Sequence, residues 1–216
     1  MDFQTPLEGG KARRVGVMGG TFDPIHNGHL VTAQEALTQF GLDAIVFLPA
    51  GIPPHKEGGT VLPAEERFLM TVIATASNSA FTVSRLEIER PGPTYTIDSL
   101  IALRAILGDE TSVHFITGAD AVWEILTWKN YERLGEYCEF IAATRPGYSL
   151  ERFMRSHMLN AEGKQHSYPA VHIMEVPALS ISSSDIRQRI RESRAVRYLM
   201  PEGVVNYINK CEFYRE

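Results

Sequence analysis

Short apolar runs of five or six residues alternate along this chain with longer stretches whose apolar positions recur at helical spacing. The runs at 13–18, 44–49, 113–117, 139–143 and 171–176 predict strands, and their near-continuous apolar character suits strands covered on both faces. Stretches at 28–40, 63–77 and 96–107, and a last one after Pro201, predict amphipathic helices. Pro63-Ala64-Glu65-Glu66-Arg67 has the proline and acids of a first helical turn, and Thr96 reads as the N-cap of its helix. Shorter helices are expected at 119–126, with Trp128 in the break beyond it, at 150–158, and from Ile181-Ser182-Ser183-Ser184-Asp185-Ile186-Arg187 onward. The segment 81–89 reads as extended, 160–169 as a loop, and 1–12 as a flexible lead without periodicity.

Strands that alternate with helices need crossovers, which are right-handed and build a parallel sheet. The expected fold is therefore α/β: a Rossmann-like parallel sheet with helices on both faces and a small C-terminal helical end over about 182–216. At 216 residues with 44% hydrophobic content, the chain suits one domain over 13–216. Ligands of such sheets collect outside the carboxyl ends of the strands. The residues that carry chemistry fall at those exits: His26 and His29 after the first strand, His55 and Lys56 after the second, Asp120 and Trp128 after a central one, Arg145 after a later one.

The first exit is the richest. Gly19-Gly20-Thr21-Phe22-Asp23-Pro24-Ile25-His26-Asn27-Gly28-His29 joins a strand to a helix through a glycine turn. Glycines let backbone N–H groups approach a phosphate, and a helix N-terminus adds partial positive charge. Two histidines three residues apart share one helix face and can reach the same anion. The turn has neither the G-x-G-x-x-G of a dinucleotide site nor the Gly-Lys-Ser/Thr ending of a P-loop. Neither cysteine lies near the histidines, and no C-x-x-C or H-E-x-x-H occurs, which argues against zinc. Near the C-terminus, 181–187 gathers hydroxyls and new helix N–H groups with Arg187 one turn on, a second arrangement suited to phosphate.

His26-Asn27-Gly28-His29 resembles the H-x-G-H signature of the nucleotidylyltransferase superfamily, and Ile181-Ser182-Ser183-Ser184-Asp185-Ile186-Arg187 its I-S-S-T/S-x-I-R segment. With Pro54-His55-Lys56, Gly92-Pro93-Thr94-Tyr95-Thr96-Ile97-Asp98-Ser99-Leu100, Phe115-Ile116-Thr117-Gly118-Ala119-Asp120, Trp128 and Arg145-Pro146-Gly147-Tyr148, the chain is similar from Arg14 to Tyr214 to the bacterial nicotinate mononucleotide adenylyltransferases. It departs from them in having serine at 184, where threonine is commoner, and a longer N-terminal lead. The resemblance implies adenylyl transfer from ATP to nicotinate mononucleotide, with Mg²⁺ carried on the triphosphate rather than in a protein metal site. It implies catalytic roles for His26, His29, Lys56 and Arg187. ATP contacts would come from these histidines and Arg187 with Gly19, Gly20, Thr21, Phe22, Gly118, Asp120, Ile181, Ser183 and Ser184. The acceptor would meet His55, Lys56, Thr94, Tyr95, Thr96, Trp128 and Arg145.

A net charge of −5 argues against a nucleic-acid polymer or an anionic membrane as partner. Cys138 and Cys211 read as two separate buried thiols, and no stretch reads as a signal peptide or membrane span, so a reduced cytoplasmic setting is expected. The expected partners are ATP and nicotinate mononucleotide, with oligomeric state open. Two other classes stay open: an H-x-G-H enzyme acting on nicotinamide mononucleotide, phosphopantetheine, a flavin precursor or a lipid head group, and a nucleotide sensor without turnover.

Overall fold

Six parallel strands form one sheet in the order β3-β2-β1-β4-β5-β6 in the computed structural model, which describes residues 14–53, 61–122, 124–144, 169–177 and 180–215. The strands are β1 (Arg14–Gly20), β2 (Ala44–Pro49), β3 (Phe81–Val83), β4 (Ser112–Gly118), β5 (Glu139–Thr144) and β6 (Val171–Glu175). The helices are α1 (Asn27–Gln39), α2 (Ala64–Thr75), α3 (Leu86–Glu89), α4 (Thr96–Leu107), α5 (Ala119–Val122), α6 (Ser183–Arg191) and α7 (Glu202–Cys211). The chain winds outward from β1 to β3, then returns to β4 on the other side of β1. The crevice between β1 and β4 is thus the topological switch point of a doubly wound sheet.

Alternation along each strand divides the core into two layers. Val15, Val17, Val46, Leu48, Val113, Phe115, Phe140 and Ala142 face Ile97, Leu100 and Leu103 of α4. Their neighbours Ile45, Phe47, Ile116 and Ile141 face α1, α2, α6 and α7, through Ala33, Met70, Ile186 and Val204 among others. The C-terminal helices therefore share the core that α1 and α2 bury. Helices cover both faces, which is why the strands are apolar on both sides. Among the described residues no helix is long and apolar enough to cross a membrane.

Four local expectations are corrected. The segment 81–89 is extended only to Val83, because the Ser84 hydroxyl accepts the Leu86 N–H at 3.1 Å and turns the chain into α3. The N-cap of α4 is Tyr95, without a side-chain cap, and Thr96 is the first helical residue. The helix after β4 stops at Val122, is followed by a 3₁₀ turn over Ile125–Thr127, and a further 3₁₀ turn at Tyr131–Glu136 was not foreseen. Cys138 is buried but Cys211 is exposed, on the polar side of an amphipathic helix. The lead 1–12, the helix expected at 150–158 and nearly all of the loop at 160–169 lie outside the described residues.

Candidate active site

β1 ends in Gly19-Gly20, and the turn that follows delivers His26 to the N-cap of α1 in extended conformation, with φ −146° and ψ 169°. The His26 backbone N–H donates to Nδ1 of His29 at 3.2 Å. A neutral His29 that accepts at Nδ1 carries its proton on Nε2, so the free ring nitrogen is a donor. The two imidazoles stack with centroids 3.7 Å apart and an interplanar angle of 24°. Gly28 makes room for this stack: a Cβ there would sit 3.0 Å from Nδ1 of His26. Burial lowers the His26 pKa to about 4. Burial also holds His29 well below its ordinary value, with the nearby His26 adding to the effect. Both rings are therefore neutral at physiological pH, and an anion beside them would raise their proton affinity.

These histidines line a cavity of about 560 Å³ at the switch point, bounded by Gly19, Thr117, Gly118, Ile181 and Ser183. The described lining has hydroxyls, imidazoles and backbone N–H groups but no carboxylate. At the N-terminus of α6, Ser182 is the cap, accepting from the Asp185 N–H at 3.1 Å, and the Ser183 hydroxyl donates to the Pro24 carbonyl at 2.9 Å.

A second cavity of about 290 Å³ lies on the other side of Gly19. Thr94, Tyr95, Thr96 and Trp128 line it, and it shares Gly19 and Thr117 with the first. Trp128 leans edge-on against Phe115 at 6.2 Å, so one part of the indole is packed while another faces the cavity. The Thr94 backbone N–H donates to the Ile52 carbonyl at 3.0 Å and the Thr94 hydroxyl accepts the Ile52 N–H at 3.2 Å, which fastens the entry of α4 to the exit of β2. Lys129 stands 4.6 Å over the Tyr95 ring and pairs with Asp98 at 3.0 Å.

A model of the cytidylyltransferase-like family matches residues 17–189. A Moorella thermoacetica protein named "probable nicotinate-nucleotide adenylyltransferase" is 51% identical over 94% of this chain and 92% of its own length. A Mycobacterium tuberculosis protein of the same name is 50% identical over 93% and 91%. The chain belongs to the nicotinate-nucleotide adenylyltransferase family. The fold also matches the solved structure of Plasmodium falciparum nicotinic acid mononucleotide adenylyltransferase in complex with NaAD, with a TM-score of 0.72 at 20% identity over 94% of this chain and 97% of that one.

Within this family member, the residues singled out from sequence fall into groups. Gly19, His26, His29, Gly118, Ile181 and Ser183 line the first cavity; Gly20 and Thr21, expected on the ATP side, line the second with Thr94, Tyr95, Thr96 and Trp128. Phe22 is 2% exposed and lines neither; its ring supports His29 edge-on at 5.1 Å. Arg187 lines neither of the two cavities. Its Nη1 donates to the Asp23 carbonyl at 2.6 Å and its Nη2 to the Ser184 hydroxyl at 3.3 Å. His55, Lys56, Arg145 and the side chain of Asp120 lie outside the described residues.

Two buried hubs were missed. Arg67, 1% exposed, donates to the carbonyls of Thr21 (2.8 Å), Gly51 (3.0 Å) and Leu62 (2.9 Å), and so ties together the exits of β1 and β2. Asp23, 2% exposed, accepts from the Tyr214 hydroxyl at 2.7 Å, which links the nucleotide turn to the C-terminus. A signal existed for the first: a cation in the first turn of a helix opposes the helix dipole and needs another reason to be there.

Proposed function

We propose that this chain transfers the adenylyl group of ATP to nicotinate mononucleotide, giving nicotinate adenine dinucleotide and pyrophosphate. The observation that carries the reading is the meeting of two cavities at Gly19 and Thr117, one beside paired histidines at a helix N-terminus and the other walled by an indole and the start of α4. The names of relatives at about half identity support the same acceptor.

The acceptor's 5′-phosphate is largely ionised at neutral pH, its second pKa being about 6, and attacks without a general base. Its oxygen forms a bond to the α-phosphorus of ATP as the bond to the β-phosphate oxygen breaks, and pyrophosphate leaves with the electron pair. Catalysis then rests on positioning and on charge stabilisation. We assign the Nε2 proton of His29 to an α-phosphate oxygen and His26 to the adjacent phosphates. Ser183, Ser184 and Arg187 are assigned to the β- and γ-phosphate side, Arg187 acting through the Ser184 hydroxyl and the Asp23 carbonyl that it holds. Gly118 and Asp120 would hold the adenosine ribose, and Lys56, His55 and Arg145 would assist on the acceptor side. Mg²⁺ is proposed to arrive with ATP and to shield its phosphate charge, held by phosphate oxygens and water; the hydroxyls and amides around the cavity suit phosphate better than a bare hard cation.

Pyrophosphate release from ATP, followed with nicotinate mononucleotide, nicotinamide mononucleotide and phosphopantetheine in turn, tests the assignment. Highest kcat/KM with the nicotinate compound is expected. A preference for either other acceptor overturns the substrate, and no release with any acceptor overturns turnover itself.

A further inference from the structure

The second cavity has a buried carboxyl in its wall that the mechanism does not use. Glu87, on α3, is 6% exposed and lines the cavity beside Thr94, Tyr95 and Thr96. Its Oε1 lies 2.6 Å from the hydroxyl of Ser99, a residue of α4 that is itself 1% exposed. The same hydroxyl is 3.3 Å from the Tyr95 carbonyl and accepts from Nη2 of Arg90 at 3.1 Å. The backbone of α3 also passes close to the exit of β2, where a Cβ on Gly51 would collide with the Glu87 carbonyl oxygen. The carboxyl is thus held against the first turn of α4, where the helix field favours an anion.

On the reading proposed above, the acceptor brings its own carboxylate to that field. We propose that Glu87 is a specificity-determining residue of the acceptor site: as the neutral acid it leaves the N-terminus of α4 free to attract the acceptor's carboxylate, and as the anion it opposes it. Two negative charges near one helix start repel each other, whereas a neutral acid held by the Ser99 hydroxyl does not oppose the acceptor's charge. Burial raises the Glu87 pKa to about 7, and Ser99, Arg90 and Arg67 offset only part of that effect. The other groups facing this region are Tyr95 and the Asp98–Lys129 pair on the α4 side, Arg67 from α2, Arg90 beyond α3 and Glu124 across the cavity. Among the described residues, none of these is a histidine.

The consequence is a preference that depends on pH. With a buried acid titrating near neutrality, kcat/KM for nicotinate mononucleotide relative to nicotinamide mononucleotide should fall about tenfold from pH 6.5 to 8.5. The fall should appear in the KM of the acid, since the ratio removes the ionisation of the 5′-phosphate that both acceptors share. In Glu87→Gln, which is neutral at every pH, the ratio should stay flat. In Ser99→Ala the hydrogen bond that lowers the Glu87 pKa is lost, so the fall should move to higher pH; this variant carries the test if Glu87→Gln does not fold. A flat ratio in the wild type, or the same fall in the wild type and both variants, overturns the inference while leaving the proposed function intact. A wild type with no turnover of the nicotinate acceptor at any pH overturns that function, and this inference with it.

Discussion

Replacing His29 separates two jobs that one imidazole performs. Nδ1 accepts the His26 backbone N–H at 3.2 Å, which is a capping contact, and in the neutral ring Nε2 then carries the proton assigned to the α-phosphate. His29→Ala removes both. Loss of one preorganised donor at a developing charge costs about 10²–10³ in rate. Loss of the acceptor leaves a partly buried N–H unpaired, a net cost of about 1 kcal/mol and about 2–4 °C in Tm for a chain of this size. His29→Asn discriminates between the two, because its Oδ1 occupies nearly the position of Nδ1 while nothing reaches the position of Nε2. The asparagine variant should therefore recover most of the Tm and none of the rate. Single-turnover pyrophosphate release at saturating ATP, beside thermal unfolding of the three proteins, measures both quantities. A His29→Asn enzyme within about threefold of wild-type kcat would contradict the donor role, for which a deficit of about 10²-fold is expected. An alanine variant with wild-type Tm would remove the capping contact.

Three further outcomes are expected. The folded His26 pKa of about 4 lies below the unfolded value of 6.5, so the unfolded chain binds protons there that the folded chain refuses. Stability should be full above pH 6.5 and fall as the pH drops toward 4, by up to about 3 kcal/mol, with His29 acting in the same direction. Urea midpoints at pH 7.5 and 4.5 measure this, and an equal loss in His26→Gln would assign it to other groups. Arg187→Lys keeps the charge but loses the fork that serves the Asp23 carbonyl and Ser184 together, so the ATP KM should rise about tenfold or more with the acceptor KM little changed; equal damage to both constants would detach Arg187 from the triphosphate. Trp128→Ala should raise the acceptor KM about three- to tenfold through lost aromatic contact, and an unchanged constant would reduce the indole to a packing residue.

The strands, most helices and the glycine-histidine turn were legible because each is written locally: an apolar run, a repeat at helical spacing, a glycine where a Cβ would strike a ring. Local chemistry also marked Ser182-Ser183-Ser184 as a helix start, although only the structure picks Ser182 as the cap. The errors were local too. At 81–89 a serine hydroxyl turns the chain into a helix, and at Tyr95-Thr96 the helix starts one residue earlier than expected, without a side-chain cap.

What the sequence could not express is which polar groups the fold would bury together. Arg67, Glu87 and Asp23 each look like ordinary surface charges in their own segments, and each is buried against partners in other segments. Arg67 is held by carbonyls at Thr21 and Gly51, Glu87 by a serine in the next helix, and Asp23 by Tyr214 near the other end of the chain. Likewise, the residues at each strand exit were identifiable one by one. Their division into two cavities that touch at Gly19 and Thr117 depends on β4 pairing beside β1 rather than beside β3. Hydrophobic periodicity reports how one element faces the core, whereas strand order and buried polar partners are set by contacts between elements, for which a single sequence has no period.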